Sequence, residues 1–94
     1  MSRFTTRVEL YGSAPEEIYN QLHIKMHDKG FDNAIEDHGK KYRLPKAEYV
    51  SFHGLSTLDV VELAKQIAET IWKDVAVFVT SSEVRWEYYN LKPL

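Results

Sequence analysis

The spacing of apolar residues changes several times along this chain, and the order of the changes limits the folds open to it. Apolar and polar side chains alternate over residues 4–11 (FTTRVELY), a period typical of a strand with one buried face. Residues 14–29 then place apolar side chains at helical spacing, and Gly30 is of the residue type that most often ends helices. The same order returns with the alternating segment 47–54 (AEYVSFHG) and the helical segment 57–73.

Two capping signals predict where these helices begin. Ser13 and Glu16 have the spacing of a capping box, and Pro15 suits a first helical turn. Ser56 and Asp59 repeat the signal before the second helix. Each predicted helix therefore starts directly after a serine whose hydroxyl can accept a free backbone N–H.

Two further segments complete the pattern, and the tail stays open. Residues 31–38 (FDNAIEDH) predict a short strand that ends in a turn at Gly39, and residues 74–80 (DVAVFVT) predict a strongly apolar, central strand. The tail fits two interpretations. Val84, Trp86 and Tyr88 alternate with polar residues as in a strand, whereas Ser82 could cap a short helix.

The order of elements predicts an α+β fold, a ferredoxin-like β-α-β-β-α-β sandwich formed by residues 1–94 as one domain. Two helices would cover one face of an antiparallel sheet, and a short C-terminal element would follow. No helix remains for the other face, so it would be exposed or buried in a partner. We expect Tyr11, Tyr49 and one of Phe78 and Trp86 on that uncovered face, with Val50 and Phe52 pointing into the core. We expect the aromatic side chains to favour a homodimer.

Composition excludes several classes of protein. The chain has no cysteine, which excludes disulfides, thiolate metal sites and a cysteine nucleophile. The apolar runs are too short to span a membrane, so we expect a cytoplasmic protein without a membrane partner. The net charge is −2, so any binding to nucleic acid needs a local basic patch or dimerisation.

The histidine pair in QLHIKMHDKGF is the first candidate for chemistry. His23 and His27 lie four residues apart, a spacing that puts both on one face of a helix and fits zinc. However, the segment lacks the glutamate that follows the first histidine in metalloproteases and acts as their general base. The sequence also provides no third ligand. We therefore predict no metal site and no cofactor.

RNA cleavage without a metal is the second interpretation of these residues. It requires a base for the 2′-hydroxyl, an acid for the leaving oxygen and a cation for the phosphate. Histidine titrates near neutral pH and can serve as acid or base, which makes His23 and His27 the catalytic candidates. Arg7 and Lys25 are the candidate phosphate contacts.

RNA binding by the open sheet is the third interpretation, and protein binding is the fourth. The run Tyr49-Val50-x-Phe52 partly matches the third strand of RNA-recognition motifs, where an aromatic ring stacks on a base. Tyr11 would supply a second ring on the same face. Glu48 departs from the motif, because a carboxylate at that point repels phosphate.

The first helix also carries a family resemblance. The pattern Leu22-x-x-x-Met26-x-Asp28-x-x-Phe31, followed by Ile35 and an acidic pair, resembles the small antitoxin endoribonucleases of type V toxin–antitoxin systems, the GhoS family. The resemblance covers roughly residues 4 to 90 and includes the EYVSF strand and the capped second helix.

The resemblance implies a ferredoxin-like fold similar to that of CRISPR nucleases, and an endoribonuclease that cuts the messenger RNA of a partner membrane toxin. It implies a basic residue directly after the leucine of the first helix, a position that His23 occupies here. The related nucleases carry a metal-binding aspartate at the end of the first strand, where this chain has LYG with Glu9 two residues before Tyr11. That departure indicates a metal-independent mechanism. The alternative function is a non-catalytic RNA- or protein-binding domain that uses the uncovered sheet face.

Overall fold

Two helices and six strands follow one another in the computed structural model, which describes residues 1–94. Their bounds are β1 (Ser2–Leu10), α1 (Glu16–Asp28), β2 (Ala34–Asp37), β3 (Lys40–Arg43), β4 (Glu48–His53), α2 (Thr57–Glu69), β5 (Val75–Ser81) and β6 (Trp86–Tyr89). Neither helix is long and apolar enough to cross a membrane.

The strands form two sheets. The larger one has the order β4-β1-β5-β6, and every neighbouring pair in it is antiparallel. The smaller sheet is the β2–β3 hairpin. Buried residues of both helices share one core with a single face of the large sheet. The predicted α+β class, the antiparallel sheet and the two helices are therefore confirmed.

The segment 31–38, predicted as a short strand, pairs with the large sheet at one residue only. The backbone of Asp32 exchanges two hydrogen bonds of 2.8 Å with Val50 of β4, and the chain then turns away into the hairpin. Three of the four β2 side chains are exposed and two of those are acidic, so β2 has little apolar surface to bury against the core. Gly39 adopts a φ of +78° at the hairpin turn, which is the turn that the sequence predicts.

The inward face of β1 is the one that alternation predicts. Phe4, Val8 and Leu10 are buried, whereas Arg7 and Glu9 are exposed on the opposite face. β1 lies between β4 and β5, and this central position explains why its apolar side chains reach both helices.

The body of α1 matches its prediction, but its start does not. Leu22 and Met26 are fully buried, and Gly30 takes a φ of +88° just after the helix ends. The predicted capping box of Ser13 with Glu16 is wrong, because Pro15 occupies the N-cap position without a side-chain hydrogen bond. Ser13 has a φ of +60° and belongs to the preceding turn.

The capping signal of α2 is confirmed. The Ser56 hydroxyl accepts a hydrogen bond of 3.1 Å from the backbone N–H of Asp59. The helix ends at Glu69, four residues before the predicted end at Lys73. Thr70 follows as the C-cap, and its hydroxyl donates to the carbonyl of Ile67 at 2.6 Å.

β4 presents the opposite face to the core from the one that we predicted. Tyr49 is fully buried, whereas Phe52 is 62 % exposed and Val50 half-buried. The cause is the register with β1: Tyr49 pairs with the buried Thr6, and residues that pair directly share a face. Tyr49 therefore does not lie on the uncovered face, and its ring cannot stack there on a base.

The tail forms a strand, which decides between the two interpretations. β6 pairs with β5 in the register Phe78 with Tyr88 and Thr80 with Trp86. Ser82 donates its backbone N–H to the carbonyl of Arg3 at 2.9 Å, within the connection between β5 and β6. Trp86 and Tyr88 consequently lie on the face of the sheet that no helix covers.

The two predicted caps allow a matched test of stability. We expect Ser56→Ala to lower the free energy of unfolding by about 1 kcal/mol, because it removes an acceptor from an N-terminal N–H of α2. Ser13→Ala removes no capping bond, and we expect the free energy of unfolding to change far less. Urea denaturation of both variants measures the difference, and equal losses would contradict the capping assignment.

Candidate functional site

His23 and Tyr49 form the one hydrogen-bonded histidine–tyrosine pair in the structure. The Tyr49 hydroxyl lies 2.7 Å from Nδ1 of His23, and the ring centroids are 5.8 Å apart. The Tyr49 side chain extends from β4 through the core and contacts the half-buried imidazole of His23 on α1. The β4 register and the position of His23 on α1 thus build this pair together.

The hydrogen-bond network assigns the proton between these two rings. Burial, with a smaller effect of Tyr19, raises the pKa of the Tyr49 phenol, so the hydroxyl keeps its proton. Nδ1 of His23 is its only hydrogen-bond partner. The phenol therefore donates to Nδ1, and in the neutral imidazole the proton resides on Nε2, the ring nitrogen that remains for a ligand.

His23 lines a cleft between α1 and the connection from β3 to β4. The cleft has a volume of about 300 Å³, at the small end of the range for ligand sites. Its polar lining consists of Glu16, Asn20, His23, Asn33, Arg43 and Lys46. Two residues of the lining are joined by a hydrogen bond of 2.8 Å from the backbone N–H of Leu44 to the carbonyl of Asn33.

The cleft keeps His23 neutral. Burial is the largest cause of its lowered pKa, and the positive charges of Arg43 and Lys46 lower the pKa further. Glu16 acts in the opposite direction, but its carboxylate is engaged with Lys46 at 3.0 Å. A neutral imidazole beside two cations suits an anionic ligand, which Nε2–H, the guanidinium and the ammonium can all contact.

His27 does not join His23 in the cleft. Its Nδ1 lies 2.9 Å from a carboxylate oxygen of Asp32, and its side chain is 74 % exposed. His23 and His27 therefore contact different residues, although they lie four positions apart on α1. In the whole structure, no three side chains of His, Asp or Glu come close enough to hold a metal ion.

The predicted phosphate and base contacts also lie apart from the cleft. Arg7 is on the uncovered sheet face, 3.7 Å from Glu48. Lys25 is exposed on α1 and is not among the residues that line the cleft. Tyr11 donates its hydroxyl to the carbonyl of Asn90 at 3.2 Å. Of the six predicted site residues, the structure brings together only His23 and Tyr49.

Five polar residues of the cleft were not predicted as site residues: Glu16, Asn20, Asn33, Arg43 and Lys46. The run HGKKYRLPK (38–46) contains four cations and no acidic residue, which was a usable signal for the last two. The two asparagines carried no such signal, because only the folded chain brings residues 20 and 33 to one cleft.

A second candidate surface is the uncovered sheet face. Phe78, Trp86 and Tyr88 form a row, with ring centroids 6.2 Å and 6.1 Å apart and planes tilted by 19° and 28°. Trp86 is 59 % exposed and Tyr88 is 52 % exposed. Arg7 pairs with Phe78 across the strands, so a cation adjoins the row. Such a row is an unusual exposure of apolar surface and suits a binding partner.

Comparison with known proteins gives no match. No family model, no curated protein and no solved structure is significantly similar to this chain. The cleft and the aromatic row are therefore the features that indicate a function.

The histidines predict how stability varies with pH. Burial lowers the pKa of both His23 and His53, and the rings of Phe31 and Phe4 surround the latter. Below a pH of about 6.5 the unfolded chain then binds more protons than the folded one. We expect stability to be fully present above about pH 6.5 and to decline as the pH falls through that value toward the lowered pKa values.

Urea denaturation between about pH 8 and about pH 5 measures this dependence. His53→Phe should reduce the acid-side loss, because the apolar ring replaces a group that must be buried neutral. His38→Gln is the matched control, since the His38 side chain is 94 % exposed. An acid-side loss that is unchanged in His53→Phe would contradict the role of that histidine.

Proposed function

We propose that this protein is a small cytoplasmic endoribonuclease of the antitoxin type, which cuts the messenger RNA of a partner toxin without a metal ion. One observation carries the proposal: His23 is hydrogen-bonded through Nδ1 to a buried phenol, while Nε2 remains for a substrate in a cleft with two cations. The family resemblance of the first helix supports the same substrate class. The chemistry needs an imidazole and a phosphate-binding cation at one place, and the cleft provides both.

The reaction that fits these groups is attack by a ribose 2′-hydroxyl on the adjacent phosphorus. Nε2 of His23 takes the proton of the 2′-hydroxyl, whose oxygen bonds to phosphorus. The bond from phosphorus to the 5′-oxygen breaks, and that oxygen takes a proton from a water molecule. The products are a 2′,3′-cyclic phosphate and a 5′-hydroxyl. Arg43, which has no carboxylate partner, would balance the charge that gathers on the phosphate oxygens in the transition state, and Lys46 would contribute on exchanging Glu16 for the phosphate.

Tyr49 allows His23 to serve this reaction in either neutral tautomer. In the resting tautomer, Nε2–H donates to a phosphate oxygen while the phenol donates to Nδ1. If the phenol turns to accept from Nδ1–H, the lone pair of Nε2 is free to take the 2′-hydroxyl proton. Tyr49 is thus a positioning residue, which acts through the histidine from inside the core.

The proposal includes a ferredoxin-like fold. β1, α1, β4, α2 and β5 support it by their order and by their antiparallel pairing around β1. In this interpretation the second strand of the β-α-β-β-α-β pattern is reduced to the Asp32–Val50 bridge. The β2–β3 hairpin and β6 are additions to that pattern.

Replacement of His23 tests the enzyme. We expect His23→Ala to lower the cleavage rate of a toxin transcript by about 100-fold or more, because it removes the proton-transfer group. His27→Ala is the matched control and should retain activity, since His27 contacts Asp32 outside the cleft. Gel analysis in the presence of EDTA measures both variants. A wild-type protein that leaves the transcript intact would contradict the enzyme proposal.

The pH profile gives an independent test of the same residue. Because burial lowers the pKa of His23, its neutral form persists to more acidic pH than in a free histidine. We expect the rate of RNA cleavage to rise with pH along a limb whose midpoint lies below about pH 6.5. Initial rates across that range measure the midpoint, and a midpoint well above it would point to another group.

The second candidate function is a non-catalytic RNA- or protein-binding domain, and the aromatic row favours it. Phe78, Trp86 and Tyr88 offer stacking surface to bases, and the same rings suit the core of a homodimer interface. We expect Trp86→Ala to weaken RNA binding or self-association, measured by fluorescence anisotropy and light scattering. Ile24→Ala is the control, because Ile24 is 64 % exposed on α1. A monomeric protein without RNA affinity would contradict both functions.

A further inference from the structure

We propose that the β2–β3 hairpin is an arm that binds the backbone of single-stranded RNA along its Lys41–Arg43 face and leads the strand into the cleft beside His23. The inference rests on the RNA substrate of the proposed function. It adds the path of the RNA strand to that function. The phosphate contacts predicted from the sequence, Arg7 and Lys25, lie outside the cleft.

β3 of the arm and the connection that follows it concentrate positive charge in a chain that is acidic as a whole. The net charge is −2, yet residues 38–46 hold four of the 12 lysines and arginines and no aspartate or glutamate, and the acidic residues of the arm are Glu36 and Asp37 on β2. Phosphate contacts supply most of the affinity of proteins for single strands, so a local cationic surface is the requirement that the composition imposes.

The register of the hairpin joins this charge to the cleft. Arg43 pairs with Ala34 and Lys41 pairs with Glu36, while Tyr42 pairs with Ile35. Because side chains alternate along a strand, Arg43 and Lys41 share one face, about 7 Å apart. Arg43 also lines the cleft, so the cationic face of β3 continues from the His23 site.

The two cations of this face are available for a ligand. Every residue of β3 is exposed, and neither Lys41 nor Arg43 is within salt-bridge distance of a carboxylate. Two cations considered above are engaged, by contrast: Lys46 lies 3.0 Å from Glu16 and Arg7 lies 3.7 Å from Glu48. An RNA phosphate would therefore meet Arg43 opposite the uncharged Ala34, and would meet Lys41 beside Glu36 without breaking an existing ion pair.

Backbone hydrogen bonds fix the end of the arm nearest the cleft, and the turn of the hairpin forms its other end. Asp32 bridges to Val50 and Leu44 donates to the carbonyl of Asn33, so both strands are tied at the end nearest the cleft. At the far end, His38 and Gly39 form the turn with positive φ values. This geometry keeps Arg43 in place at the cleft and extends Lys41 away from it.

The cleft indicates a single strand rather than a duplex. Its volume of about 300 Å³ has room for one extruded nucleotide of a single strand. The amides of Asn20 and Asn33 lie in the same lining as the cations and can hydrogen-bond the edge of a base. Duplex bases are not accessible to side chains in this manner.

The test measures binding without cleavage. The full-length chain is titrated into a fluorescent single-stranded RNA with 2′-O-methyl riboses, which cannot be cut because the attacking hydroxyl is blocked. We expect the double variant Lys41→Gln/Arg43→Gln to bind about tenfold more weakly than the wild type. The slope of log affinity against log salt should fall by about 1.4, the value for two lost phosphate contacts on a single strand.

The matched control is Lys29→Gln/Lys73→Gln, which removes the same charge from two exposed positions outside the cleft and arm. We expect it to bind nearly as the wild type does. Equal losses in the two double variants would overturn the inference, since net charge alone would then explain binding. Wild-type affinity in the arm variant, equal affinity for duplex RNA or equal affinity for anionic vesicles would also overturn it.

Cleavage of an unmodified transcript separates this inference from the proposed function. If the wild type binds through the arm but does not cut, the enzyme proposal fails and the arm stands. If the single variant Lys41→Gln, which leaves the cleft lining intact, cuts with an unchanged KM, the arm fails and the enzyme stands. Circular dichroism of both double variants verifies folding, and we expect no change because the replaced side chains are exposed.

Discussion

The pairing of β4 with β1 is the constraint on which the rest of this structure depends. It puts Tyr49 opposite Thr6, and therefore on the face of the sheet that the helices cover. From there the phenol crosses the core and meets His23 of α1 at 2.7 Å. A shift of one residue would turn Tyr49 outward and bury Phe52 in its place, and the histidine would lose its buried partner.

The same pairing separates the molecule into two surfaces of different chemistry. On the helix side, the cleft collects Arg43, Lys46 and a neutral imidazole, a combination that suits an anion. On the other side, Phe78, Trp86 and Tyr88 form an exposed row, and the nearby charge of Arg7 is balanced by Glu48. Cationic chemistry and apolar contact are thus assigned to opposite faces. The proposed reaction on a phosphate belongs to the cleft, and the proposed stacking or association belongs to the row.

Several parts of the fold were predictable because they depend on local chemistry. Alternation in β1, the buried line of Leu22 with Met26, and the Ser56 cap of α2 each follow from residues a few positions apart. The cap expected at Ser13 failed for a related reason: a positive φ placed that serine in a turn, and Pro15 took the capping position. The β2 segment left the sheet because its side chains offer little apolar surface to bury.

The sequence by itself determined the α+β class, the two helices, the absence of cysteine chemistry and His23 as a candidate. Only the tertiary structure decided which face of β4 is buried, because a two-residue period fixes alternation but not its direction, which comes from the partner strand. It also decided that His27 lies apart from His23 and that Asn20, Asn33 and Arg43 meet beside the imidazole. These are contacts between segments far apart in the chain, and only the packing of α1 against β4 and its preceding loop creates them.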